Sequence, residues 1–169
     1  YPRLLAGQIG RLRLSADGTG EYDRAFQVEP IGIMKKYYGE LILDLHRRWE
    51  VRAFFYDWRK DIEIAANELR TRISRWFGEQ APVHLVAHSL GGLVARAFIL
   101  RHPGRWRAMR DERSANGHRG GRLVMLGTPN RGSLATVQGL VGAEGLLHKI
   151  AFFDLRHGPE ELATIVNSF

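Results

Sequence analysis

The stretch that most constrains this chain is Val83-His84-Leu85-Val86-Ala87-His88-Ser89-Leu90-Gly91-Gly92-Leu93-Val94-Ala95-Arg96. A short apolar run enters a serine flanked by small residues, and the chain leaves it with a helical pattern. That is the sequence form of a sharp strand–turn–helix junction, a nucleophile elbow of the G-x-S-x-G kind with Ala87 in the first glycine position. Holding a serine hydroxyl proud of a sheet requires a tight turn with Ser89 in a strained backbone conformation. Small residues are therefore expected two positions before and two after it, and these are Ala87 and Gly91. The helix from Leu90 directs its free N–H groups and positive dipole end to the place where an oxyanion would form. Ser89 reads as a candidate nucleophile.

The rest of the chain supplies a context for that junction. Met34, Tyr37, Tyr38, Leu41, Ile42, Leu45 and Trp49 fall at helical spacing and predict one amphipathic helix over residues 31–49. The aromatic run Val51-Arg52-Ala53-Phe54-Phe55-Tyr56 predicts a strand. A second helix is expected over 61–77, with Ile62, Ala65, Ala66, Leu69, Ile73 and Trp76 on one face and Asp61 at its start. After the helix from Leu90 to Arg101, Arg122-Leu123-Val124-Met125-Leu126 reads as a further strand, stopping at Gly127-Thr128-Pro129-Asn130. A last helix is expected near Pro159-Glu160-Glu161, and Asp17-Gly18-Thr19-Gly20 is a turn signal. Helices alternating with short apolar strands predict an α/β fold with a mostly parallel sheet. In such sheets function gathers where strands end, here at Tyr56-Asp57-Trp58-Arg59, at His88-Ser89-Leu90 and at Gly127-Thr128-Pro129-Asn130.

The chain carries a net charge of +7, with 21 arginines and four lysines. The arginines are spread along the chain instead of concentrated in a groove with interleaved aromatics, so no nucleic-acid partner is expected. The densest cluster, residues 105–113, reads as a solvated loop at the opposite end of the sheet from the serine, and Asp111 is set aside with it. No His, Asp or Glu spacing suggests a metal and no glycine-rich phosphate loop follows a strand, so no cofactor is expected. Nothing supports a membrane surface as a partner, and no apolar run approaches the ~20 residues of a membrane span. The absence of cysteine and of a readable leader fits a cytoplasmic setting. The opening on Tyr1-Pro2 reads as the interior of a longer chain.

Three segments carry a resemblance: Phe55-Tyr56-Asp57-Trp58-Arg59, Val86-Ala87-His88-Ser89-Leu90-Gly91-Gly92-Leu93-Val94-Ala95-Arg96 and Leu126-Gly127-Thr128-Pro129-Asn130-Arg131-Gly132-Ser133. Together they resemble the α/β-hydrolase superfamily, specifically the lecithin:cholesterol acyltransferase-like lipases and esterases. The resemblance implies acyl transfer through an acyl-serine intermediate, with an ester or lipid as substrate. Ser89 would attack the ester carbonyl, the N–H of Leu90 would be one oxyanion donor, and a histidine oriented by an acid would be the base. Water as acceptor gives an esterase or lipase, an alcohol an acyltransferase. The family's second oxyanion donor follows an earlier strand, and its acid and histidine follow two later ones. Neither set is readable here, so the expectation is a single, partial hydrolase domain over 1–169 that lacks outer strands. A non-catalytic hydrolase-fold module binding lipid or protein is the alternative.

Other candidates have competing readings. His88 adjoins the nucleophile, but neighbours across a tight elbow point apart, so packing is expected of it instead of base catalysis. His148, His157 and Asp154 lie downstream on helix or loop patterns and carry no motif. Asp57, Trp58 and Arg59 either stand near the site or form a turn locked by an Asp–Arg pair with Trp58 packed beneath. Thr128, Asn130 and Ser133 are site-proximal, with turn formation the simpler role.

Overall fold

The computed structural model describes residues 8–110, 120–134 and 159–168. The chain divides into two compact units, residues 1–28, 59–61 and 129–169 forming one, and residues 29–58 and 62–128 the other.

The second unit carries an α/β arrangement. Helix α1 spans Lys35–His46, α2 Ile62–Phe77, α3 Leu90–Arg101 and α4 Pro103–Arg110, with strands β1 at Leu85–His88 and β2 at Leu123–Leu126. The two strands are parallel, in the register Leu85↔Leu123, Val86↔Val124, Ala87↔Met125 and His88↔Leu126. A parallel pair needs a long crossover between its strands, and α3 and α4 provide it. The core lies where α2 meets α3: Ala65, Ala66, Leu69 and Ile73 pack with Val94, Phe98, Met109 and Val83. The two alanines let the helices approach closely, and each larger side chain buried there contributes about 1.5–3 kcal/mol. Leu85 of β1 packs against this cluster from the sheet.

Strand alternation sends His84, Val86 and His88 to the opposite face. There α1 spans β1: Tyr38 meets His88 at one end, and Trp49, just past the helix, meets the His84 ring at 4.8 Å at the other. The helix therefore runs antiparallel to the strand. Val86 and Val124 on the two paired strands are each 45 % exposed.

Several expectations need correction. The 51–56 run is not a strand, because no ladder pairs it among the described residues. Its aromatics still alternate: Phe54 and Tyr56 stack at 5.6 Å and both pack on the core. The first helix is shorter than 31–49 and buries no residue completely. Tyr38, Ile42 and Leu45 are half-buried, whereas Met34, Tyr37, Leu41 and Trp49 remain exposed. The basic segment from 105 is not a solvated loop, since residues through Arg110 form α4, with Arg105 and Met109 buried. One Arg105 nitrogen, Nη2, donates to the Gly78 carbonyl at 2.8 Å and Nη1 to the Ala81 carbonyl at 3.4 Å. Those carbonyls follow the end of α2, where a cation also meets the favourable end of the helix dipole. Arg105 therefore lies beyond the amino end of β1, away from Ser89, as the topology predicts. Asp111 falls outside the described residues.

In the first unit a 3-10 turn at Gln8–Leu12 precedes the predicted turn, where Gly18 has φ 67°. Asp17 accepts from Ser15 Oγ at 2.6 Å and from the Thr19 amide and hydroxyl, which hold its carboxyl down at about 2. The turn brings Leu14 opposite Glu21 in an antiparallel bridge. The expected last helix is present as α5, Pro159–Val166, with Leu162 and Ile165 buried. Leu14 N–H donates to Ser168 Oγ at 3.0 Å. No helix among the described residues is long and apolar enough to cross a membrane.

Candidate functional site

Ser89 stands between β1 and α3 with φ 51° and ψ −126°. Among the described residues no other non-glycine has positive φ. A conformation of this kind costs on the order of 1–3 kcal/mol and persists only where the surroundings over-determine it. The surroundings here are backbone bonds on both sides: Ser89 N–H donates to the Leu126 carbonyl at 2.9 Å, and Gly92 N–H donates to the Ser89 carbonyl at 3.0 Å. Ser89 is exposed. Leu90 opens α3, so its N–H is one of the helix's free first-turn donors.

The crowding expected two residues after the serine lies one residue further on. An added Cβ on Gly91 would meet no atom beyond its own helix and chain neighbours, whereas on Gly92 it would collide with the side chain of Thr128. Thr128 thus seals the turn after β2 against the first turn of α3. Its buried Oγ1 makes no hydrogen bond to a described residue.

His88, the last residue of β1, is exposed. Its Nδ1 lies 2.8 Å from Tyr38 Oη, and the two rings meet edge to face at 5.8 Å. Tyr56 is half-buried nearby; burial, and to a lesser degree the Tyr38 phenol, push its hydroxyl above the ordinary 10.0. Sequence reasoning gave Tyr38 only a place on a helix face, and nothing in the sequence signals its partnership with His88 across 50 residues.

Asp57 is half-buried, and Trp58 is 60 % exposed, so the indole is not packed beneath the turn. Arg59 belongs to the first unit, where it is 3 % exposed. Its guanidinium meets Glu21 through Nη2–Oε1 at 2.8 Å and Nη1–Oε2 at 3.0 Å, and Nη1 also donates to the Leu12 carbonyl at 2.8 Å. Glu21 carried no signal in the sequence. Asn130 is exposed in the same unit, in a turn closed by Gly132 N–H on the Pro129 carbonyl at 3.0 Å. His148, Asp154 and His157 lie outside the described residues. Among the described residues no three His, Asp or Glu side chains converge in a metal-binding arrangement.

The lecithin:cholesterol acyltransferase family model matches residues 43–153, more than half of the chain and all of the β1–Ser89–α3 junction. The chain is also 34% identical over 75 residues to the uncharacterized protein YJR098C of Saccharomyces cerevisiae. That match covers 43% of this chain and 11% of the yeast protein, so the chain spans a small part of that relative's length. No solved structure matches. The matched family is one of lipid acyltransferases and esterases in general. With the family match running through the parallel strand, the serine turn and the helices beside it, the chain belongs to the lecithin:cholesterol acyltransferase family.

Proposed function

We propose that this chain carries the nucleophile-bearing part of a serine-dependent hydrolase or acyltransferase acting on lipid or other carboxylic esters. The observation that carries the reading is the Ser89 backbone, with φ 51° at the junction of a parallel strand and a helix start. In this reading residues 1–169 are part of a single α/β-hydrolase-type domain. Ser89 Oγ bonds to the ester carbonyl carbon, and its proton passes through a general base to the leaving alcohol. The N–H of Leu90 donates to the oxyanion of the tetrahedral intermediate, a role commonly worth about 2.7–4 kcal/mol. Water or an alcohol then takes the acyl group from the serine. Asp57, Trp58, His88 and Thr128 are the side chains assigned to the surroundings of the reacting group. Arg59, spent on Glu21 and Leu12, has a supporting role, and Asn130 has a turn-forming one.

A second reading is a non-catalytic module of the same fold that binds lipid or protein, since no acid and histidine partners for Ser89 are readable in the sequence. Exposure of the complete protein to a fluorophosphonate probe decides between them, read by intact mass with a Ser89→Ala control. One adduct that disappears in the control, together with loss of ester turnover, supports the catalytic reading. Turnover retained by Ser89→Ala would overturn it.

A further inference from the structure

We infer that Tyr38 is a positioning residue for the serine turn, clamping the imidazole of His88 and through it the end of β1 from which Ser89 projects. The inference rests on the reading of Ser89 as nucleophile and adds a residue to it.

The strained Ser89 backbone has to be held from outside, because its own dihedral preferences oppose it. On the β2 side the Leu126 carbonyl holds the Ser89 N–H, and on the helix side the Ser89 carbonyl is held by Gly92. The strand side ends in His88, an exposed residue whose ring would ordinarily exchange rotamers. Tyr38 removes that freedom with a 2.8 Å hydrogen bond and an edge-to-face ring contact. A second ring contact on the same face of the strand, Trp49 three residues past the helix against His84, keeps that helix near β1.

The chemistry of the pair suits a permanent clamp. A phenol donates to Nδ1 of a neutral imidazole, leaving the ring proton on Nε2, and accepts from the same nitrogen once the ring is charged. Engaged in this way, Nδ1 of His88 also stays out of proton transfer to Ser89. What Tyr38 supplies is placement, and small misplacements of a reacting group are costly: a shift of about 1 Å can lower a rate about 100-fold.

The test measures fluorophosphonate labelling of Ser89 in the complete protein, resolved into the maximal labelling rate and the probe concentration for half-saturation. Tyr38→Phe is expected to lower the maximal rate about tenfold while half-saturation moves less than about twofold. His88→Leu, which breaks the same bond from the other side, is expected to match it. His88→Asn places an amide atom where Nδ1 stands and is expected to recover most of that loss. Thermal melts establish that each variant is folded, and His88→Leu carries the test if Tyr38→Phe is not. A folded Tyr38→Phe or His88→Leu that labels at the wild-type maximal rate overturns the positioning role and leaves Ser89 as nucleophile. Wild-type protein that takes no adduct at Ser89 overturns the nucleophile reading and this role with it.

Discussion

Thr128 fills the space in which a side chain on Gly92 would stand: a Cβ there would meet Oγ1, Cγ2 and Cβ of the threonine. The turn after β2 is thereby locked to the first turn of α3, one helical turn from Ser89. The glycine pair after the serine thus has two different jobs. Gly91 faces open space, and Gly92 is the seat of another side chain.

Gly92→Ala is accordingly expected to lose about 1–3 kcal/mol through overpacking, since backbone and threonine must both yield. Gly91→Ala is expected to stay within about 1 kcal/mol of wild type and to lean towards stabilisation, alanine being the better helix former. Denaturant midpoints of the two variants check the contrast, and equal losses would contradict it.

The positive φ of Ser89 has a measurable cost. Glycine adopts that conformation freely while alanine does not, so Ser89→Gly is expected to be more stable than Ser89→Ala by about 1 kcal/mol. Calorimetry of the two variants tests this independently of any activity.

The buried fork between Arg59 and Glu21 sets a pH dependence. The hydrogen bond from Arg59 holds the Glu21 carboxyl below its ordinary 4.5, against the opposing effect of burial. A carboxylate whose folded pKa is depressed contributes stability above its unfolded pKa and loses it as pH falls through the folded one. Glu21→Gln removes the carboxylate from the buried fork with Arg59 and is expected to cost up to about 3–5 kcal/mol at neutral pH. Because wild type alone loses this contribution below pH 4.5, the gap between the two proteins should narrow on acidification. Chemical denaturation at several pH values reads that gap directly; one that widened in acid would contradict the assignment.

Arg105 gives a second structural test. Replacing it by alanine leaves the Gly78 and Ala81 carbonyls without their charged donor and is expected to cost about 1.5–3 kcal/mol. Lysine is expected to recover only part, because a single ammonium cannot reproduce a fork reaching two carbonyls. Thermal melts of Arg105→Ala and Arg105→Lys check the order.

What the sequence alone determined is local. The apolar run, the small residues and the helical pattern around Ser89 placed the junction and the bounds of α3, because each depends on neighbours a few residues apart. The spacing in α2 worked for the same reason: Ala65, Ala66, Leu69 and Ile73 repeat at helical period and all four are buried. Tertiary structure decided whatever needs a partner far along the chain. The 51–56 run has strand composition, but a strand exists only where a neighbour completes its ladder. Arg105 reads as one more surface arginine until α4 carries it to the end of α2. Tyr38 and His88 are 50 residues apart, and Arg59 and Glu21 are 38. Such pairings leave no periodic trace in a sequence, because a hydrogen bond between distant residues is set by packing geometry, which only the folded chain contains.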